Sequence, residues 1–166
     1  VASLFPSKHH NHRHCVAQAL SDAEAICAAK GARLTSLRRK VLELVWASHR
    51  PVGAYDLLRD LSQEKTNAAP PTVYRALEFL QEHGLVHRIS CLNAFVGCPS
   101  PEVSHSGEFL ICRACGAAGE VLDEQIGETI ARSAADQGFL VEQKTIEVIG
   151  LCPHCRLQDS GAAHGG

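Results

Sequence analysis

No stretch of this 166-residue chain is apolar over the about 18 positions that a membrane-spanning helix needs. No secretory leader is expected either, because the apolar start is short and Lys8 and His9 interrupt it. A soluble, cytoplasmic protein is therefore expected, with no membrane partner. Methionine is absent even from the first position, so a processed or engineered start is expected. There is no phosphate-binding glycine loop, no nucleophile motif and no open metal site beside an obvious general base. Neither an enzyme nor an organic small-molecule substrate is expected. Internal repeats are lacking beyond two Cys-x-x-Cys pairs.

Cysteine is plentiful by contrast. Eight cysteines without a leader argue against a disulfide framework and for metal binding or redox chemistry. Charge is unevenly spread. Residues 1–90 hold 12 Lys/Arg against 8 Asp/Glu, a net +4, while residues 91–166 hold 4 against 10, a net −6. A basic half joined to an acidic half suggests one nucleic-acid-facing part and one part with another task.

Residues 1–14, with His9, His10, His12 and His14, read as a disordered or tag-like tail. From Cys15 a helical period begins: Val16, Ala19, Leu20, Ala23, Ile26 and Cys27, with Gly31 as its stop. Thr35 is an N-cap for a second helix carrying Leu37, Val41, Leu44 and Val45. Pro51-Val52-Gly53 breaks it, and a third helix carries Tyr55, Leu58 and Leu61 on one face until Lys65-Thr66-Asn67. Pro70-Pro71-Thr72 opens a fourth helix, burying Val73, Ala76, Leu77 and Leu80 and ending at Gly84. Two strand-like runs follow, Leu85–Ile89 and Ala94–Val96, turning near Asn93. Helices followed by a β-hairpin are the order of a winged helix-turn-helix domain, placed at 15–98. Residues 99–106, with Pro99-Ser100-Pro101, read as a hinge. A small α/β domain is expected over 107–158, with strands at Phe109–Cys112 and Glu120–Leu122. A helix from Asp123 to about Gln137 and one long strand at Phe139–Ile149 complete it, and residues 159–166 form a flexible tail. The fold class is thus α+β.

Cys112 and Cys115 form one Cys-x-x-Cys pair, and Cys152 and Cys155 the other. Four thiolates around one ion make a closed, tetrahedral structural zinc site, and so small a domain needs such a staple. The alternative is a pair of redox motifs or buried thiols. In the first half, the fourth helix suits a major groove. Arg75 can reach a guanine edge or a phosphate, Tyr74 a thymine methyl or a phosphate, and Thr72 a phosphate. Arg33, Arg38, Arg39, Lys40 and Tyr55 lie where the DNA backbone would run. An ordinary solvated helix face fits Tyr74 and Arg75 equally well.

Several motifs together resemble the ferric uptake regulator superfamily. They are Arg33-Leu34-Thr35-x-x-Arg38, Ala54-Tyr55-Asp56-Leu57-Leu58, Pro71-Thr72-Val73-Tyr74-Arg75-Ala76-Leu77, Ile111-Cys112-x-x-Cys115-Gly116 and Cys152-x-x-Cys155. The similarity spans roughly residues 16–156. It implies a homodimer whose second domain dimerises and whose first domain binds double-stranded operator DNA in response to metal or peroxide. Iron sensors of the superfamily carry a His-rich run before the first Cys-x-x-Cys, where this chain has a single histidine, His105. Its zinc-sensing branch implies a regulatory zinc held by His87, Cys98, His105 and Glu120, besides the structural one, and repression of zinc-uptake genes. One thiolate, two imidazoles and one carboxylate suit tetrahedral zinc better than iron(II). An iron, manganese or peroxide sensor is the rival within the superfamily. Cys15, Cys27 and Cys91 carry no expected role beyond the place of Cys27 in a helix stripe.

Overall fold

The structure is a computed structural model that describes residues 4–5, 12–48, 50–64, 68–103 and 107–162. Lys65-Thr66-Asn67, His9, His10 and His105 lie outside the described residues.

The first half holds four helices and a small sheet: α1 His12–Ala29, α2 Ser36–Val45, β1 Val52–Gly53, α3 Ala54–Gln63, α4 Pro70–Glu82, β2 Val86–Ile89 and β3 Ala94–Gly97. The caps are chemical. Thr35 has an extended backbone, and its hydroxyl accepts the Arg38 N–H at 3.4 Å, which satisfies one amide that a helix start leaves over. At α4, two prolines in the first turn remove such amides outright. Leu42, Val41, Val45, Leu57, Leu61, Val73, Leu77 and Leu80 are buried in one apolar core shared by α2, α3 and α4. Strands β2 and β3 form an antiparallel wing, turning through Asn93 in a left-handed conformation (φ 47°). Arg88 Nη2 donates to Asn93 Oδ1 at 2.9 Å, tying the turn to its own strand.

The second half contains β4 Gly107–Cys112, β5 Ala118–Glu120, α5 Glu124–Asp136, β6 Thr145–Gly150 and α6 Pro153–Ala162. Its sheet runs β5-β4-β6, antiparallel on one side of β4 and parallel on the other. Asp123 caps α5 by accepting the Gln125 N–H at 2.9 Å. The fold is therefore mixed α and β, a winged helix followed by an α/β unit.

Several details depart from sequence expectation. Helix α1 begins at His12 rather than Cys15, so His12 and His14 are helical and not tail. The buried face of α3 is Ala54, Leu57 and Leu61, while Tyr55 is 77% exposed; counting Tyr55 as apolar rotated the stripe by one residue. Val52–Gly53 forms a two-residue strand on β3, because breaking a helix does not prevent backbone pairing. The β5 strand ends at Glu120, two residues before the expected end. The β-branched run from Phe139 pairs only from Thr145, since its six-residue partner β4 sets the length; Phe139 and Leu140 are 67% and 81% exposed. Finally, α6 continues to Ala162, through the start of the expected flexible tail.

The two halves meet through a small apolar cluster. Ile89 from the wing is fully buried with Phe109, Ile111 and Ala118 of the second half, and Val96 packs alongside. This contact brings the wing over the β5-β4-β6 sheet, and the polar groups around it form the second of two ligand clusters.

Candidate metal centres and DNA-facing surface

The first cluster is Cys112, Cys115, Cys152 and Cys155, whose sulfurs all lie within 4.8 Å of one another. Cys112 ends β4. Gly116 then turns the chain at φ 73°, a region that costs a side-chain-bearing residue energy, so its N–H reaches back to the Cys112 carbonyl at 2.8 Å. Strand β6 runs parallel to β4 and delivers Cys152 beside Cys112, whose sulfur accepts the Cys152 N–H at 3.3 Å. Pro153 starts α6 and places Cys155 in its first turn. That proline, directly after a cysteine, was the sequence signal for the unexpected helix.

The geometry suits a tetrahedral ion. Zinc–sulfur bonds of about 2.3 Å at tetrahedral angles separate the sulfurs by about 3.8 Å. The Cys115 and Cys152 sulfurs lie 3.8 Å apart, and all eight cysteines of the chain are free of disulfides. Proton affinities are uneven across the four. Burial raises the Cys112 thiol, but the N–H groups of Cys152, Cys115 and Ala114 outweigh it and bring it down to about 6. Cys155 is pushed up to about 12, chiefly by hydrogen bonding to Cys152 and then by burial. One thiolate is thus ready at neutral pH, while Cys115, raised chiefly by burial, and Cys155 hold their protons more tightly.

The second cluster crosses the two halves. His87 comes from β2, Cys98 follows β3, and Glu120 ends β5; their ligand atoms lie within 4.8 Å of one another. His87 Nε2 is 3.1 Å from Glu120 Oε1, near the about 3.3 Å edge of a tetrahedron with bonds of about 2.0–2.1 Å. The His87 ring also packs on Phe109, centroids 5.4 Å apart. Cys98 is 3% exposed and Glu120 9% exposed. Burial pushes the Cys98 thiol up to about 12. A neutral thiol, an imidazole and a buried carboxylate make a mixed donor set that fits zinc once the thiol proton leaves. Gly97 positions this thiol: a Cβ there would lie 2.1 Å from Trp46 Cε2, so only glycine lets β3 pass the indole.

Within the winged helix, Thr72, Tyr74, Arg75 and Arg33 are exposed, as is Tyr55. Arg38 is partly occupied within the fold: its guanidinium lies 3.5 Å over the Phe79 ring and donates to the Arg33 carbonyl at 2.6 Å. Arg39 pairs with Glu24, and Lys40 with Glu43 and Glu64, so their charges are shared with neighbouring carboxylates.

A winged helix docked on an α/β unit, with one ligand cluster inside the unit and one at the junction, defines a metal-binding winged-helix protein. The chain belongs to the ferric uptake regulator family, which residues 29–149 match. It is 40% identical over 137 residues to the zinc uptake regulation protein of Escherichia coli K12, covering 82% of this chain and 80% of that one. A solved zinc uptake regulator in complex with zinc and DNA superposes with a TM-score of 0.83 at 38% identity, over 87% of this chain and 97% of its own. The holo form of XcZur superposes at 0.77 with 40% identity, over 83% and 96% of the two chains. Its apo form reaches only 0.50 with 39% identity, over 85% and 97%. At equal sequence similarity, the arrangement seen here is nearer the holo form. No helix among the described residues is long and apolar enough to cross a membrane.

Proposed function

We propose that this chain is a zinc-sensing transcriptional repressor that binds operator DNA as a homodimer when loaded and represses zinc-uptake genes in the cytoplasm. Two zinc ions per protomer are assigned, a structural one at Cys112, Cys115, Cys152 and Cys155, and a regulatory one at His87, Cys98, His105 and Glu120. Residues 15–98 form the DNA-binding domain, 99–106 the hinge and 107–158 the dimerisation domain. Arg33, Arg38, Tyr55, Thr72, Tyr74 and Arg75 contact DNA.

What supports sensing is one placement: His87 and Cys98 come from the winged helix, while Glu120 comes from the other half. Bound there, zinc supplies bonds that span the junction. His87 and Cys98 then hold the wing, and Glu120 holds the sheet beneath it. Separating the halves removes Glu120 from the other two, so the ligand set is complete only in the docked state. A ligand that favours one state shifts the population; moving from 1:99 to 99:1 takes about 5.5 kcal/mol of differential affinity. The docked state fixes each DNA-reading helix relative to the dimerisation domain, and hence the spacing of two such helices in a dimer.

Dimerisation through the second half is supported by what it leaves uncovered. Strand β6 is an edge strand with Val148 and Ile149 50% and 60% exposed, and α5 has no buried residue. An open edge and an uncovered apolar face are what a second copy would cover.

Operator binding measured against buffered free zinc at fixed salt tests this, because affinity for DNA falls steeply with salt. Wild type is expected to bind only as zinc rises, and Cys98→Ser to stay a folded dimer that ignores zinc. Wild-type affinity of Cys98→Ser at wild-type free zinc refutes the regulatory assignment. A response to iron(II) or manganese(II) in place of zinc moves the chain to another branch of the family.

A further inference from the structure

Glu147 belongs to neither of the two ligand clusters, yet its carboxylate crosses the junction. It stands on β6 and accepts the backbone N–H of Ser90 through Oε1 and that of Cys91, at 2.9 Å, through Oε2. Both amides belong to the turn at the tip of the wing, 56 and 57 residues earlier in the chain. Burial raises the Glu147 carboxyl, but hydrogen bonds from the Cys91 thiol, from the Cys91 and Ser90 amides and from the Ser90 hydroxyl outweigh it and hold the group below its usual range.

The register shows why this contact matters. Glu120 on β5 pairs with Phe109 on β4, and Phe109 pairs with Glu147 on β6. Residues paired across neighbouring strands point to the same face, so Glu120, Phe109 and Glu147 form one row across the sheet. The wing lies along that row. His87 meets Glu120 and Phe109, Ile89 packs in the Phe109 cluster, and Ser90 and Cys91 meet Glu147. One end of the row is a metal ligand. The other end holds the wing by hydrogen bonds alone, which need no metal.

We propose that Glu147 is a metal-independent latch for the wing, a positioning residue that sets how much zinc is needed to dock the DNA-binding half. This rests on the zinc-sensing function proposed above. The latch favours the docked state before zinc arrives, and the apparent affinity of a site competent only when docked scales with the docked fraction. Two hydrogen bonds to an ionised carboxylate in a half-exposed setting are expected to change that fraction about tenfold, equivalent to about 1.4 kcal/mol.

The test compares wild type, Glu147→Ala and Glu147→Gln as full-length proteins carrying their structural zinc. First, amide hydrogen exchange at Ser90 and Cys91 is followed with and without added zinc. Glu147→Ala is expected to speed exchange at these two amides in the zinc-poor protein, with Glu147→Gln, which keeps one acceptor oxygen, intermediate. Second, operator binding is titrated with buffered zinc. The half-point is expected to rise about tenfold for Glu147→Ala, with affinity at saturating zinc close to wild type. Equal exchange in all three proteins, or an unmoved half-point in a zinc-responsive protein, overturns the latch. If wild-type binding ignores zinc while the exchange difference persists, the latch stands as a docking contact and the sensing function falls instead.

Discussion

Ile89→Ala isolates the docking of the two halves from the folding of either one. Ile89 is fully buried, and the cluster around it draws on Phe109, Ile111 and Ala118 from across the junction. Truncation removes three carbon atoms, worth about 0.8 kcal/mol each in transfer alone. Isoleucine-to-alanine changes in well-packed sites cost about 2–5 kcal/mol once the cavity is included. Only the part specific to the docked state shifts docking, because the undocked wing keeps Val96 beside this position. Taking about 2 kcal/mol as that part, the docked fraction of a mostly undocked apo protein falls by more than about tenfold. The zinc half-point for operator binding is expected to rise by the same factor. Fluorescence anisotropy of labelled operator in zinc buffers measures it. Leu57→Ala is the control: Leu57 is equally buried but lies wholly within the winged-helix core, so it is expected to lower the thermal midpoint without moving the zinc half-point. If Ile89→Ala lowers stability as much as Leu57→Ala and leaves the half-point where it was, docking is not what zinc completes.

Three further outcomes are expected. Cys115→Ser removes one ligand from the four-sulfur cluster; metal analysis should find one zinc fewer per protomer, and circular dichroism should show the second half melting first, since structural zinc contributes about 10 kcal/mol or more to such folds. Lys144→Met leaves Glu108, 5% exposed, without the ammonium 3.3 Å from its Oε1; denaturant unfolding should register a loss of about 3 kcal/mol, largely recovered when Glu108→Leu is added, as buried pairs tolerate joint apolar replacement. Zinc affinity of the junction cluster should rise with pH: the Cys98 thiol, pushed up to about 12, is protonated at neutral pH and must release that proton to bind. One proton released gives about a tenfold gain per pH unit above the histidine range, readable by competition with a chromophoric chelator; a flat profile between pH 7 and 8.5 would contradict it.

Much of this architecture was legible because its signals are local. Thr35 and Asp123 announce helix starts through side-chain oxygens two or three residues from the amides they accept, and the two Cys-x-x-Cys pairs carry their metal chemistry in their own spacing. Signals that depend on pairing between distant strands were not legible. Nothing near Glu147 marks it as more than one charge in a β-branched run; its partners appear only once β6 lies in register with β4 and the wing crosses the row. His87, Cys98 and Glu120 belong to three separate segments, β2, the stretch after β3, and β5, so no pattern within one helix or strand relates them, and only the family resemblance linked them beforehand. Arg38 was expected against the DNA backbone, whereas the structure also sets it over Phe79, a contact between helices that a linear pattern does not contain.

The placement of the two clusters decides which ion can act as the signal. All four sulfurs of the first belong to β4, β6 and the segments that directly follow them, within the second half. Docking or releasing the wing leaves their mutual distances unchanged. An ion bound there has the same affinity in both states, and a ligand of equal affinity shifts no equilibrium however tightly it binds. It can decide only whether the second half folds. The junction cluster has the opposite property. Its ligands come from β2, from the segment after β3 and from β5, so the undocked state divides the set and the docked state restores it. The differential affinity that a sensor needs is therefore built into His87, Cys98 and Glu120 by their distribution between the halves. In the proposed sensor, Ile89 and Glu147 would act on the same equilibrium without touching the ion, and the zinc threshold would be set jointly by ligand chemistry and by how readily the wing rests on the Glu120-Phe109-Glu147 row.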